Sequence, residues 1–536
     1  MRSIIDRDIA RLEERIRALK SRRNQLSPIS SRLPAEILCN IFSFSIHSSG
    51  RGIPKSWTNF SQVSQHWRSL SLSAPGLWTD IPLGYSRWAQ EMLMRSKMAK
   101  LTLRTFPSDI SKPNIQVVDT IRSCLYKMNR VEEIDIDIFP ELDLEEIFQG
   151  LPKSAPQLHT LRIECCDPSA QAPFRFSRPA FSIHEDFLYD TERLQRVELL
   201  NCKISWDSRI LTGLTRLTLT LEDNSKARSS INQFFHALQR MPALSDLHLK
   251  NSIPDDSEVP STYPVVDLPC LRVLSISSGV DVLTAVLRHI SFPHSAILDL
   301  TCRENQSTQI DFSNFLSFFT TKFLSSLVIP SLSLEAIPFR RNYSDALKFC
   351  LWTTAIIHDD FPTSQPQLTL ALTWPSGLPQ SYSIYNETLI CAFDAMSLPF
   401  LTQLQISTND YIDSKTWVKT FGKLPLLEWV SVRILEACSF LEALVYKTKA
   451  AKESEAVYRN FTFPKLRYIH LADTDFGVSV PDFISINMLL DYLMERYERN
   501  AEVQVLRLEK CYSISSEDVE RFKEIVVDVI WDGVER

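Results

Sequence analysis

The chain has 536 residues, of which 44% are hydrophobic and 23% charged, and its formal net charge is −6 at pH 7. A chain of this length and hydrophobicity can bury one large core or several ordinary ones, so we expect a folded, soluble protein. The 58 basic and 64 acidic side chains are interspersed, without a cluster of Lys and Arg among stacking aromatics, which argues against nucleic acid as a partner.

The eleven cysteines are an odd number, lie in apolar runs and form no C-x-x-C pair. We expect them to be buried free thiols, which is typical of a reducing compartment. The first residues are charged and lack the apolar stretch of a secretory signal, and no apolar run is long enough to span a bilayer. The sequence therefore predicts a cytoplasmic or nuclear protein without a membrane partner.

Residues 1–27 are predicted to form an amphipathic helix. Apolar residues recur there at alternating four- and three-residue steps, interrupted by Arg23, which is the a/d pattern of a heptad repeat. The members of this stripe are Ile5, Ile9, Leu12, Ile16, Leu19 and Leu26. Two interpretations of the stripe remain open, because a coiled coil this short is only marginally stable in isolation. The stripe packs onto its own chain, or it forms a coiled coil with a second copy.

Residues 28–83 are predicted to form a small helical domain. Pro28 ends the first helix and Pro34 fits the first turn of the next, where Glu36 meets the positive end of the helix dipole. A loop at 48–54 separates this helix from another over 57–70. Apolar faces on these helices and on the N-terminal one predict a three-helix bundle.

The segment from Leu33 to Trp78 resembles an F-box of the kind found in fungal proteins, in which degenerate leucine-rich repeats follow. The matching residues are Leu33, Pro34, Glu36, Ile37, Leu38, Ile41, Phe42, Val63, Trp67, Arg68, Leu70, Leu77 and Trp78. The resemblance implies that this domain binds a Skp-family adaptor, and through it a cullin–RING ubiquitin ligase. All of these residues except Arg68 and Leu77 are the expected adaptor contacts.

Residues 84–536 are predicted to form a leucine-rich-repeat solenoid. The pattern L-x-x-L-x-L, or an aliphatic equivalent, makes fourteen units from Leu103 to Leu508, with a mean spacing of about 31 residues. Besides the strand at Leu103, the predicted strand segments are 131–136, 158–163, 194–199, 214–219, 244–249, 271–276, 296–300, 324–329, 368–372, 401–406, 427–432, 466–471 and 503–508.

Each repeat is expected to contain one strand and a polar turn such as Asn201-Cys202 or Lys510-Cys511. In several units an apolar helix follows, as at 231–241 and 282–290. One unit cannot bury its apolar face alone, so we expect an α/β fold with stacked parallel strands inside and helices outside. A last amphipathic helix, with apolar residues from Val519 to Ile530, is expected to cap the solenoid.

The outward-facing strand positions are the candidates for contact with a protein substrate, because solenoids offer long exposed surfaces for binding. The chosen positions are Arg162, Glu198, Thr218, His248, Gln405 and His470. They share no charge sign, so they indicate no ligand class.

No enzymatic motif is found, whether a phosphate-binding loop, a dinucleotide fingerprint, a zinc-protease helix or a nucleophile elbow. The acidic run at 132–137 alternates along a predicted strand and is expected to be a solvated face. We therefore predict a protein that is not an enzyme, with no catalytic residue, metal or cofactor.

The first hypothesis is the substrate-recognition subunit of an SCF-type ubiquitin ligase. The alternative is a leucine-rich-repeat scaffold, dimeric through the heptads and without a role in ubiquitination.

Overall fold

The computed structural model describes residues 2–26, 29, 32–48, 59–105, 115–138, 150, 152–165, 181–183, 187–188, 190–222, 230–254, 263–304, 310–337, 344–353, 364–375, 381–408, 412–422, 424–433, 438–445, 462–476, 486–498 and 501–534. The predicted loop at 48–54 lies outside them except for Ser48. The chain divides into two compact units, unit 1 (Met1–Leu244) and unit 2 (Ser245–Arg536). This division falls inside the range predicted for the repeats.

Unit 1 combines helices near its N-terminus with a sheet. Its helices are α1 (Arg2–Gln25), α2 (Ala35–Ser48), α3 (Asn59–Val63), α4 (Gln65–Ser73), α5 (Ser86–Arg95), α6 (Ile115–Leu125) and α7 (Ile231–Gln239). Its strands are β1 (Asp80–Pro82), β2 (Leu101–Arg104), β3 (Val131–Ile138), β4 (Thr160–Cys165), β5 (Phe181–Ser182), β6 (Arg196–Leu200), β7 (Cys202–Lys203) and β8 (Arg216–Thr220).

The main strands of unit 1 pair in the order β1-β2-β3-β4-β6-β8, and every pairing is parallel. A separate parallel pair joins β5 to β7. Alternate aliphatic side chains of each strand are buried, as Leu161 and Ile163 of β4 show. The sheet therefore has one apolar face against the core and one face of polar side chains.

Unit 2 contains more strands and a regular succession of helices. Its strands are β9 (Asp246–Lys250), β10 (Val266–Asp267), β11 (Val273–Gly279), β12 (Ile290–Ser291), β13 (Ile297–Arg303), β14 (Ser331–Ile337), β15 (Ser344–Trp352), β16 (Leu368–Pro375), β17 (Gln403–Thr408), β18 (Trp429–Arg433), β19 (Tyr468–Ala472), β20 (Val505–Glu509) and β21 (Asp528–Trp531). Its helices are α8 (Val280–His289), α9 (Ser313–Phe319), α10 (Ser381–Met396), α11 (Ser414–Thr420), α12 (Cys438–Val445), α13 (Ile486–Glu498) and α14 (Ser516–Lys523).

The sheet of unit 2 is mostly parallel and contains one antiparallel insertion. Its order is β9-β11-β13-β16-β15-β14-β17-β18-β19-β20-β21. The two pairings made by β15 are antiparallel, and the others are parallel. The strands β14 and β15 were not predicted from the sequence, and β15 interrupts the succession of parallel strands.

A layer of helices covers the apolar side of the unit 2 sheet. Each helix from α8 to α14 contacts the next one along the chain. Aromatic rings fill the space between neighbouring helices. The Phe393 ring of α10 lies 4.7 Å from Phe421 at the end of α11, and the Trp417 ring of α11 lies 4.8 Å from Phe440 of α12. Consecutive helices thus bury one another while the strands bury their inner aliphatic side chains.

Every predicted strand segment except 324–329 overlaps an observed strand. The helix α9 continues as a π-helical turn over Thr320–Leu324 and residues 325–330 form no strand, so the predicted strand is wrong. The reason is that buried phenylalanines recur every four residues before this segment, a helical spacing that competes with the strand pattern. Phe315, Phe319 and Phe323 are buried one above the next, with ring centroids 5.6 and 5.5 Å apart, which favours a helix up to Leu324.

The predicted C-terminal helix is wrong in its second half. The helix α14 ends at Lys523, and Asp528–Trp531 forms β21, which pairs in parallel with β20. The unpaired backbone groups along β20 explain this outcome, because a strand satisfies them and a helix cannot. The predicted helix over 57–70 is likewise two helices, α3 and α4, separated at Ser64.

The turns that follow several strands lie where the sequence predicts them. Asn201, Asn251, Asp473 and Lys510 each come directly after a strand and have φ between 52° and 56°. Non-glycine residues adopt this left-handed conformation mainly in turns. After two of these turns a buried cysteine thiol faces a carbonyl of an earlier strand, Cys202 that of Ile163 and Cys511 that of Leu471.

The cysteine prediction is right in part. The described cysteines are free, and burial raises the pKa of the Cys124 thiol to about 12. Cys270, however, is exposed, and Cys39, Cys165 and Cys391 are half-buried. Cys166 and the side chain of Cys438 lie outside the described residues.

Candidate functional site

The helix α2 carries apolar residues on two different sides. Leu38, Phe42 and Ile46, spaced by four, are at most 8% exposed and form its inner side. Ile37, Ile41 and Phe44 lie on the other side and are 44%, 45% and 76% exposed, and Pro34, just before the helix, is also exposed. We call Pro34, Ile37, Ile41 and Phe44 the outer stripe of α2. Their spacing of three, four and three residues places them in one line along the helix.

The inner side of α2 is held by aromatic contacts with the two short helices. Phe42 stacks on Phe60 of α3 at a centroid distance of 4.7 Å and contacts Trp67 of α4 at 5.0 Å. The chain bends between these helices at Ser64, whose hydroxyl accepts a hydrogen bond from the backbone N–H of Trp67. This N-cap starts α4 in a new direction. The inner side of α2 is thus intramolecular core.

Trp78 fixes the helical segment to the helix α5. Its indole N–H donates to the carbonyl of Ser71 at 2.8 Å, and the side chain is buried. The ring meets Trp88 edge to face at 6.3 Å, and the guanidinium of Arg95 lies 4.4 Å from its centroid. Trp78 therefore positions the helices against α5.

The predicted adaptor contacts fall into three groups by the exposure of their side chains. Those whose side chains are exposed are Pro34, Glu36, Ile37, Ile41 and Val63. Leu33, Trp67 and Leu70 are half-buried. Leu38, Phe42 and Trp78 are buried and pack inside unit 1, so they support the outer stripe from behind and do not form its surface.

Phe44 was missed in the sequence-based prediction, although it is the most exposed apolar residue of α2. The motif that carries the resemblance ends at Phe42 in this helix, and Phe44 lies outside it. Its position seven residues after Ile37 was the available signal, because residues seven apart lie on the same face of a helix.

The polar face of unit 1 holds a cluster of ion pairs around Arg162. One guanidinium nitrogen of Arg162 lies 2.7 Å from carboxylate oxygens of both Asp135 and Asp137, and Arg162 also pairs with Glu164 and, at 3.8 Å, with Glu198. The side chains of Asp135 and Asp137 are only 9% and 5% exposed. The expectation of a solvated acidic face is therefore wrong for these two residues, because Arg162 compensates their burial.

The predicted substrate contacts lie in two rows, one in each unit. Arg162, Glu198 and Thr218 are register partners on adjacent strands of unit 1. In unit 2, one continuous row of register partners runs from His248 on β9 through Gln405 on β17 to His470 on β19. Its described members are His248, Ser275, Asp299, Thr369, Cys350, Ser333, Gln405, Ser431, His470 and Arg507.

His470 is held in the unit 2 row by its neighbours. Its Nδ1 lies 3.0 Å from the hydroxyl of Ser431, and its Nε2 lies 3.5 Å from Glu509. The pKa of His470 is lowered from 6.5 to about 4, first by burial and then by the positive charge of Arg507, which outweigh the effect of Glu509. Ser431 is 2% exposed, so its hydroxyl is not accessible as a nucleophile.

We expect the lowered pKa of His470 to make unit 2 sensitive to acid. The folded state keeps the imidazole neutral, whereas the unfolded chain takes up a proton below its usual pKa of 6.5. Stability is therefore complete above pH 6.5 and falls as the pH approaches 4, by about 3 kcal/mol. Denaturant unfolding between pH 7 and 4 should show a shallower pH dependence for His470→Gln. The exposed His294→Gln is the control and should follow the wild type. Parallel curves for the wild type and His470→Gln would contradict this expectation.

No group of three or more His, Cys, Asp or Glu side chains among the described residues could hold a metal ion. Within the same residues, no helix is long and apolar enough to cross a bilayer.

The comparison with known protein families gives one result for this region. An F-box-like family model matches residues 30–82, which include α2, α3, α4 and the outer stripe. An F-box-like domain is therefore present in unit 1. A search of curated proteins gives no match.

Proposed function

We propose that this protein is the substrate-recognition subunit of a cullin–RING ubiquitin ligase of the SCF type. The observation that carries the proposal is an F-box-like domain whose first long helix leaves a line of apolar side chains exposed. F-box domains in general bind Skp-family adaptors. The outer stripe of α2 fits such a docking surface, because adjoining exposed apolar side chains mark interaction sites. The aromatic contacts on the inner side of α2 hold this helix in place.

In this proposal the chain catalyses nothing and needs no cofactor. It holds a target protein close to a RING subunit loaded with a ubiquitin-conjugating enzyme, so that ubiquitin transfer becomes effectively intramolecular. The protein acts in the cytoplasm or nucleus, where such ligases operate.

We further propose that the strands and helices within each unit form leucine-rich repeats whose polar strand face binds the target. Successive parallel strands with buried aliphatic residues support this, as does the helix layer of unit 2. Within the candidate contacts, Gln405 and His248 are half-buried residues of one row. Arg162 differs, since it is already engaged with carboxylates of its own unit.

The test of the adaptor-docking surface substitutes exposed residues, so the fold should not be disturbed. Ile37→Glu or Ile41→Glu places a charge on the outer stripe, and each is expected to weaken binding to a purified Skp-family adaptor by about thirtyfold. The measurement is calorimetry or pull-down with the full chain. Met98→Glu is the matched control, because Met98 is an 82% exposed apolar residue of the same unit outside the stripe.

Retained adaptor binding by both stripe variants, with circular dichroism unchanged, would count against the ligase assignment. That outcome would favour the alternative function, a scaffold without a role in ubiquitination. Affinity capture of the full chain, scoring adaptor and cullin peptides, separates the same two functions independently of the variants.

A further inference from the structure

The helix α1 exposes an apolar stripe along its whole length. The stripe residues are between 48% and 74% exposed, and they are Ile5, Ile9, Leu12, Ile16, Leu19 and Leu26. Asn24, near the end of the helix, donates a long hydrogen bond of 3.4 Å to the carbonyl of Val63. So continuous a line of exposed Ile and Leu on one helix face indicates an interface that another helix covers.

The stripe has the composition of a two-stranded coiled coil. Ile9 and Ile16 occupy a positions, and Leu12 and Leu19 occupy d positions, a combination that favours two strands. Arg23 takes the next a position, where a charged residue restricts register and oligomeric state. The core residues alone, however, do not decide whether the two helices run parallel or antiparallel.

The charges beside the stripe decide the direction. The flanking g positions hold Asp8, Arg15 and Arg22, and the e positions hold Asp6, Glu13 and Lys20. In a parallel pair, each g residue faces the e residue five positions later in the other helix. Asp8 would then face Glu13, and Arg15 would face Lys20. Each contact occurs twice, so the pair would have four like-charge contacts and no opposite-charge contact.

An antiparallel pair brings the acidic first half of one helix against the basic second half of the other. With full overlap, Leu12 packs against Ile16 of the second copy and Ile9 against Leu19. Each g position of one helix then faces a g position of the other helix, and each e position faces an e position. Asp8 therefore faces Arg22, and Asp6 faces Lys20, which makes four opposite-charge contacts. Only the two central contacts, Glu13 with Glu13 and Arg15 with Arg15, are between like charges.

We propose that α1 is a dimerisation helix that pairs with α1 of a second copy of this chain in the antiparallel direction. The second copy is the occupant because the helix is complementary to itself, in the charges at its two ends and in the central part of its apolar line, whereas Ile5 meets a charged residue, Arg23. The inference does not depend on adaptor docking, since the outer stripe of α2 is formed by other residues.

Sedimentation of the full chain tests whether the helix pairs. The wild type is expected to sediment as a dimer of 61.6 kDa chains at micromolar concentration, and Leu12→Glu as a monomer. Ile4→Glu is the matched control and should remain dimeric, because Ile4 is 59% exposed but lies off the stripe. A wild type that is monomeric, or a Leu12→Glu variant that is still dimeric, would overturn the proposal.

A charge exchange tests the direction. In the antiparallel pair Asp8→Arg faces Arg22, so the dissociation constant of the dimer should rise by about tenfold. The double variant Asp8→Arg with Arg22→Asp should restore it, because the opposite charges face each other again. In a parallel pair Asp8→Arg would face Glu13 and tighten the dimer. Tightening by the single variant, or no rescue by the double one, would overturn the antiparallel arrangement.

Discussion

Replacing Arg162 with leucine is expected to destabilise unit 1 by about 3–5 kcal/mol, because it removes the guanidinium that pairs directly with two nearly buried carboxylates. Asp135 and Asp137 lie 2.7 Å from the same guanidinium nitrogen, and their side chains are almost out of solvent. These acidic neighbours also raise the pKa of Arg162 above its usual range. The measurement is hydrogen exchange of peptides from β3 and β4 during denaturant unfolding of the full chain, which reports on this region alone.

Two further variants show whether the effect comes from unpaired charge. Lys100→Met removes an exposed ion pair with Glu132 in the same unit and should cost at most about 0.5 kcal/mol. Adding Asp135→Asn and Asp137→Asn to Arg162→Leu should recover part of the lost stability, since the buried negative charges are gone. If Arg162→Leu is as stable as the wild type and only target binding is lost, then Arg162 is a substrate contact and not a structural centre.

Replacing Arg496 with methionine is expected to destabilise unit 2 by about 3–5 kcal/mol, through the loss of several charge-assisted hydrogen bonds. The side chain of Arg496 in α13 is fully buried. It donates to the carbonyls of Ala501, Phe463 and Leu466 at 2.9–3.1 Å. It thereby joins the end of α13 to the chain that leads into β19. Denaturant unfolding of the full chain, with hydrogen exchange of peptides from α13 and β19, measures the loss.

Arg496→Lys provides the informative comparison, because it keeps the positive charge but not the planar fork of donors. We expect it to recover less than half of the loss. Lys523→Met is the control, since Lys523 is an exposed cation of unit 2 that pairs with Glu520 within its own helix. If Arg496→Met unfolds at the same denaturant concentration as the wild type, then neighbouring groups satisfy these carbonyls without Arg496.

The residues of α2 show what periodicity alone leaves undecided. The sequence predicts one broad apolar face containing Ile37, Leu38, Ile41 and Phe42. In the structure the face divides, because the rings of Phe60 and Trp67 cover only the side that holds Leu38 and Phe42. A helix pattern states which residues are apolar, but not how wide a strip the neighbouring helices cover.

The strands were more predictable than their connections. Alternating aliphatic residues such as Leu161 and Ile163 identify a strand from a few neighbouring positions, because the period of two is a local property. The antiparallel strand β15 was missed although its partners, β14 and β16, are the strands next to it in the chain, because the prediction assumed one parallel strand in each repeat. The acidic run on β3 was misjudged because its compensating charge, Arg162, comes from the next strand.

Local spacing was enough to identify the F-box-like segment, most of the strands with their turns, and the heptad stripe of α1, since each depends on a short stretch of chain. Tertiary structure alone decided which of those apolar and charged residues remain at the surface. It buried Phe42, Arg496 and the carboxylates around Arg162, and it left Ile37 and Phe44 exposed. The physical reason is that burial and ion pairing depend on the groups that distant segments bring into contact, and local periodicity contains no information about those groups.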